Sequence, residues 1–160
     1  MAQPIPGERG ARVRFPPPLV FAGFVALGIA LQYAIAPIPL PVGRWIALAA
    51  GILVLLAGVA LIVAAFRLFK RTGQEPAPWT PSPELLLEGP YRFTRNPMYL
   101  GLTLVQIGLG LAIDYLWVAL LAVPALVVVH FIAVLPEEKY LAEKFGENYR
   151  AYLARVRRYF

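Results

Sequence analysis

Gly89-Pro90-Tyr91-Arg92-Phe93-Thr94-Arg95-Asn96-Pro97-Met98-Tyr99-Leu100-Gly101 joins a polar, proline-studded loop to an apolar run and crowds two arginines and two tyrosines against its edge. Asn96 before Pro97 predicts a helix start: Asn is a favoured N-cap, and Pro, lacking an N–H, suits the first helical position. The first turn then presents Met98 and Tyr99, whose free backbone N–H groups lie beside Arg92 and Arg95. These residue types carry two readings. A helix N-terminus flanked by guanidinium groups seats a carboxylate or phosphate. Arg and Tyr also form the belt that anchors a protein at the lipid headgroups.

Composition sets the solvent. The chain has 160 residues, one domain's worth, of which 59% are hydrophobic and 15% charged, and its mean hydropathy is +0.65. So much apolar surface exceeds what a small globule buries, so the bilayer is part of the environment. The net charge of +6 lies beside apolar runs and marks orientation rather than nucleic-acid binding. With no cysteine, disulfides and thiolate chemistry are excluded, and the single histidine, His130, has no carboxylates at ligand spacing, so no metal is expected.

Outward from the opening stretch, the runs predict one membrane domain over 1–160. Residues 1–18 are a basic, proline-rich leader with Arg9, Arg12 and Arg14. The run 19–36 is long enough for a short span, and 43–66 is a second, separated from it by Pro37, Pro39 and Pro41. Ala34-Ile35-Ala36 matches a signal-peptidase site, but the run is long for a signal peptide and a second span follows, which favours a retained anchor. Gly51 and Gly58 suit close helix packing. The loop 72–96 is rich in proline, too irregular for a helix and long enough to be a binding feature. The segment 97–135 reads as a helical hairpin turning at Asp114-Tyr115, with Gly101, Gly108 and Gly110 making its inner face small. The tail 136–160 repeats Leu141, Phe145, Tyr149, Tyr152 and Val156 at helical spacing, which fits an amphipathic helix that rests on the membrane or closes over the third run. The expected class is therefore all-α integral membrane, with four transmembrane helices, the last two a tight hairpin, plus an amphipathic C-terminal helix. Fourteen of the fifteen basic residues fall in the leader, the segment 67–95 and the tail, leaving only Arg44 opposite, so both termini and the central loop are expected in the cytoplasm.

The hairpin brings Tyr91, Arg92, Arg95, Asn96 and Tyr99 to the membrane level of His130, Glu137 and Glu138. Charged groups at a membrane edge are costly unless they pair or hold a polar ligand, and chemistry alone leaves both open. The span 69–159 resembles the C-terminal half of the isoprenylcysteine carboxyl methyltransferase and phospholipid methyltransferase family. The family segment Gly-x-Tyr-x-x-x-Arg-His-Pro-x-Tyr-x-Gly corresponds to residues 89–101. Glu-Glu-x-x-Leu corresponds to Glu137-Glu138-Lys139-Tyr140-Leu141, and Phe-Gly-x-x-Tyr-x-x-Tyr to Phe145-Gly146-Glu147-Asn148-Tyr149-Arg150-Ala151-Tyr152.

The resemblance implies an S-adenosylmethionine-dependent membrane methyltransferase. By position, Leu85, Leu86, Tyr91, Asn96, Pro97, Met98, Tyr99 and Glu137 fall where the family contacts its cofactor. Asn96 stands where the family has histidine, which removes a titratable group. The tyrosines suit adenine or a sulfonium cation, and Glu137 a ribose hydroxyl or an amino group. Transfer of a methyl group needs alignment and exclusion of water more than acid–base chemistry. For a carboxylate acceptor Arg95 orients it, and for an amine or thiol Glu138 or His130 removes the proton. The implied acceptor is a lipid-like or amphiphilic molecule entering from the bilayer: an isoprenylcysteine carboxylate, a phospholipid amine, or another amphiphile or small thiol. Membrane lipids are the expected surroundings and nucleic acid is not a partner. The alternatives are an NADPH-dependent sterol-type reductase, usually larger and needing basic residues for the 2′-phosphate, and a non-enzymatic four-span scaffold.

Overall fold

In a computed structural model, which describes residues 10–13, 15–35, 37–40 and 42–159, the described chain is helical and contains no strand. Arg9 and Arg14 of the leader, Ala36 and Pro41 lie outside the described residues. Helix α1 is Pro17–Ala34 and begins with prolines in its first turn, where a missing N–H costs nothing. Helix α2 is Arg44–Arg71, with 28 residues, about 42 Å long at 1.5 Å per residue. The apolar run ends at Phe66, but Arg67, Lys70 and Arg71 are good helix formers and carry the helix one more turn and beyond. A short 3₁₀ turn, Gly89–Arg92, precedes α3, Pro97–Ala112. Then come α4 (Leu116–Leu120), α5 (Ala122–Val129), a π-turn (His130–Val134) and α6 (Leu135–Arg155).

Three helical runs, Pro17–Ala34, Arg44–Arg71 and Leu116–Arg155, have the length and composition to cross a membrane, and α3 is a shorter apolar helix. The chain is an all-α membrane protein. The expected amphipathic tail helix is α6, which continues the helical run from Leu116 through the π-turn and is kinked at Gly146. Two prolines explain its irregularities. Pro124 offers no N–H to the carbonyl of residue 120, where α4 gives way to α5, and Pro136 follows the π-turn, in which the Leu135 N–H reaches His130 O. A third irregularity is Gly146, at φ 51° and ψ −119°, a conformation open to glycine that redirects the tail.

Small residues set the packing. A Cβ added to Gly108 would lie 2.4 Å from the Leu55 nitrogen, and one on Gly51 would lie 2.4 Å from that of Ala112, so α2 and α3 touch backbone to backbone. The partner of Gly101 and Gly108 is thus α2, whereas Gly110 faces Ala119 across the hairpin. On the other side, Gly28 of α1 abuts Val118. One core cluster joins Phe21 of α1 to Ala125, Val129, Ala133 and Val134, and includes Ala11 and Val13 of the leader. At the end bearing Arg44, its guanidinium caps α3 by donating to Ala112 O at 2.7 Å, and the Tyr33 and Tyr115 hydroxyls meet at 2.6 Å.

Candidate active site

The charged end of the bundle is built from four irregular segments. Helix α2 closes with a Schellman motif, in which Gly73 takes φ 69°, its N–H reaches Lys70 O, and the Gln74 N–H reaches Phe69 O at 2.9 Å. That turn aims Gln74 inward, where it is buried and its Nε2 donates to Thr72 Oγ1. The proline-rich loop then crosses the bundle end. Its Pro78 carbonyl accepts from the Ala11 N–H at 2.8 Å, and its Ser82 N–H donates to the Tyr140 hydroxyl at 3.0 Å. Gly10 lies so close to Trp79 that a Cβ there would be 2.2 Å from its carbonyl carbon. The leader therefore forms part of the wall, which the sequence reading did not include.

At the start of α3, Asn96 occupies the N-cap position with no side-chain cap bond. Its amide instead donates to Arg158 O at 3.2 Å, and Thr94 Oγ1 donates to the same carbonyl at 2.9 Å. The Arg95 N–H reaches Arg157 O at 3.0 Å, so the extended chain after α6 straps the entrance to α3. Because Pro97 carries no N–H, the first-turn N–H groups that lack a helical partner belong to Met98 and Tyr99.

These segments enclose a cavity of about 820 Å³, a figure that includes its open mouth. Leu85, Leu86, Tyr91, Asn96, Pro97, Met98, Tyr99 and Glu137 all line it, and so does Arg95. Glu138 and His130 are not on its wall. Glu138 is held by Arg158, whose Nε and Nη2 donate at 2.9 and 2.7 Å, and by Arg95 Nη1 at 3.1 Å. His130 Nδ1 lies 2.9 Å from the Tyr159 hydroxyl. Residues that the motif reading passed over also line the cavity, among them Phe69, Gln74, Tyr140 and Tyr149. The Gly-Gln pair at 73–74 was the available signal for the inward turn.

Electrostatics make the cavity receptive to both signs of charge. Glu137, beyond the apolar part of its helix, accepts a hydrogen bond from the Tyr99 hydroxyl. Burial pushes its carboxyl up from 4.5 to about 7; the Tyr99 bond opposes this and nearby Glu138 adds to it. Burial, with Glu137 nearby, also raises the Tyr91 hydroxyl, and burial lifts Tyr149 to about 12 against the pull of Arg95. Two buried atoms on the wall have no hydrogen-bond partner, Gln74 Oε1 and Arg95 Nε, an acceptor and a donor. Phe69 and Tyr91 meet edge to face with ring centroids 6.2 Å apart, and the Tyr152 hydroxyl pins the Tyr91 carbonyl at 2.7 Å. Among the described residues no cluster of three His, Cys, Asp or Glu suits a metal. The arrangement offers aromatic surface, a buried carboxylate at Glu137 for a cation, and a helix start with an arginine for an anion.

Residues 46–148 match the family model described as phospholipid methyltransferase. No curated protein matches the chain.

Proposed function

The chain belongs to the phospholipid methyltransferase family, and from that premise we propose that it transfers a methyl group from S-adenosylmethionine to a lipid-like acceptor at the cytoplasmic edge of the membrane. The observation that carries this reading is the convergence of 85–86, 91, 96–99 and Glu137 on one cavity at the charged end of the bundle.

The residues present fit that donor. A buried carboxyl whose ionisation burial opposes gains a counter-ion when a cation enters, so Glu137 favours the positive end of the donor. The Met98 and Tyr99 N–H groups, with the Arg95 guanidinium beside them, favour its carboxylate. Phe69 and Tyr91 offer aromatic faces to a purine or a sulfonium. When bound, the donor supplies an electrophilic methyl group whose carbon–sulfur bond breaks as the acceptor attacks in line.

The chain's part is to align and to dry the site. The leader and the proline-rich loop cover the cavity through the Ala11–Pro78 bond, and Tyr140 fastens the same loop to α6. Positioning of this kind is the main lever for a displacement that needs little proton movement. Of the three side chains assigned to the transfer step, Arg95 is the one that reaches the cavity, where its guanidinium serves the donor's carboxylate rather than the acceptor's. Glu138 and His130 lie behind the wall, Glu138 paired with Arg95 and Arg158 and His130 beside the Tyr159 hydroxyl, so neither is placed to take a proton from an acceptor in the cavity. The NADPH reading has less support, because among the described residues Glu75, Glu84 and Glu137 line the cavity against a single arginine, a poor setting for a 2′-phosphate.

Protein reconstituted in vesicles of mixed lipid extract, given methyl-labelled S-adenosylmethionine, should move label into the lipid fraction. Transfer with no lipid-soluble product would contradict the acceptor class, and absence of any transfer from a folded sample would contradict the reaction.

A further inference from the structure

Arg95 Nη1 lies 3.1 Å from Glu138 Oε1, its guanidinium also meets the Tyr149 hydroxyl, and its Nε is buried without a partner. An isolated Arg–carboxylate pair favours the bidentate fork, with two parallel N–H to oxygen bonds. Here the fork on Glu138 belongs to Arg158, with Nε on one oxygen at 2.9 Å and Nη2 on the other at 2.7 Å. Arg95 and Glu138 are largely removed from water, at 12% and 16% side-chain exposure. Two guanidinium groups on one carboxylate leave one positive charge uncompensated, and Arg95 lines the cavity.

From this we infer that Arg158 is a positioning residue for the site: by occupying both oxygens of Glu138 it keeps the Arg95 guanidinium from closing on that carboxylate, and so leaves it free for an anionic group in the cavity. The inference rests on the donor reading above, in which that anion is the donor's carboxylate. Without Arg158, Glu138 is free to take the fork of Arg95, neutralise it and withdraw it from the ligand. The strap itself survives such a change, because Thr94, Arg95 and Asn96 bond to backbone carbonyls of residues 157 and 158 rather than to their side chains.

The test uses the full chain in detergent and two probes titrated calorimetrically: S-adenosylhomocysteine, which carries the amino-acid carboxylate, and 5′-methylthioadenosine, which lacks it. Arg158→Gln should weaken the first on the order of tenfold and leave the second unchanged. Arg158→Lys, which keeps the charge but not the fork, should recover part of the loss. Adding Glu138→Gln to Arg158→Gln should restore affinity for S-adenosylhomocysteine, since a neutral amide no longer captures Arg95. Unchanged affinity in Arg158→Gln, an equal loss for both probes, or no rescue by Glu138→Gln would overturn the inference while leaving the donor reading standing. Wild-type protein that binds neither probe would overturn both.

Discussion

Glu137→Gln separates the energetic cost of the site from its use. The Glu137 carboxyl titrates at about 7 instead of 4.5 because burial disfavours its charge. Below pH 4.5 it is protonated in the folded and unfolded chains alike and costs nothing. Between pH 4.5 and about 7 the unfolded chain gives up the proton while the folded chain keeps it, so wild-type stability falls as pH rises. Above that window the deficit is constant, at roughly 3 kcal/mol for the gap between 4.5 and about 7. Glutamine has the same shape, still accepts from the Tyr99 hydroxyl and does not ionise. Glu137→Gln is therefore expected to match wild type at pH 4.5 and to exceed it by up to about 3 kcal/mol at pH 8, on the order of 6–12 °C in Tm for a chain of this size. The assay is thermal unfolding in detergent, followed by circular dichroism across that pH range. The same variant is expected to lose affinity for S-adenosylhomocysteine at pH 8, where wild type offers a carboxylate. A Tm difference that does not change with pH, or a variant less stable than wild type at pH 8, would refute the reasoning.

Three other perturbations follow from the packing. Gly108→Ala places a Cβ 2.4 Å from the Leu55 nitrogen, and thermal unfolding is expected to register about 1–3 kcal/mol of destabilisation. Gly23→Ala, with nothing within 4 Å of its Cβ, should be neutral or slightly stabilising in the same measurement. Gly73→Ala has space but must hold φ 69°, which costs about 1–2 kcal/mol. Because the Schellman turn aims Gln74 into the cavity, Gly73→Ala should also weaken binding of S-adenosylhomocysteine by a few-fold.

Much of the architecture was legible because periodic features leave periodic traces. The apolar runs marked the helices, the Asn96-Pro97 pair marked the start of α3, and Gly51 and Gly58 marked the face that α2 turns to α3. What escaped was carried by irregular backbone. The bond from Ala11 to Pro78, the strap of 157–158 across Thr94 and Asn96, and the inward turn at Gln74 depend on tertiary approach, which no spacing encodes. The passage from the apolar run into the charged tail through a π-turn, with Pro136 just after it, leaves no spacing signature in the sequence. The side chain of Asn96 illustrates the same limit: its position as N-cap follows from local rules, whereas its bond to Arg158 O belongs to the fold. In the site, the motif marked residues that share a cavity, but the partners that hold Arg95 and Glu138 lie in the last few residues of the chain.

The most direct measurement is equilibrium binding of radiolabelled S-adenosylmethionine to the purified chain in lipid nanodiscs. Saturable binding that S-adenosylhomocysteine displaces and NADPH does not, and that disappears in folded Tyr99→Ala and Glu137→Ala, is the predicted result. Binding that persists undiminished in both variants, or wild-type protein that takes up no label while remaining folded, would contradict the account.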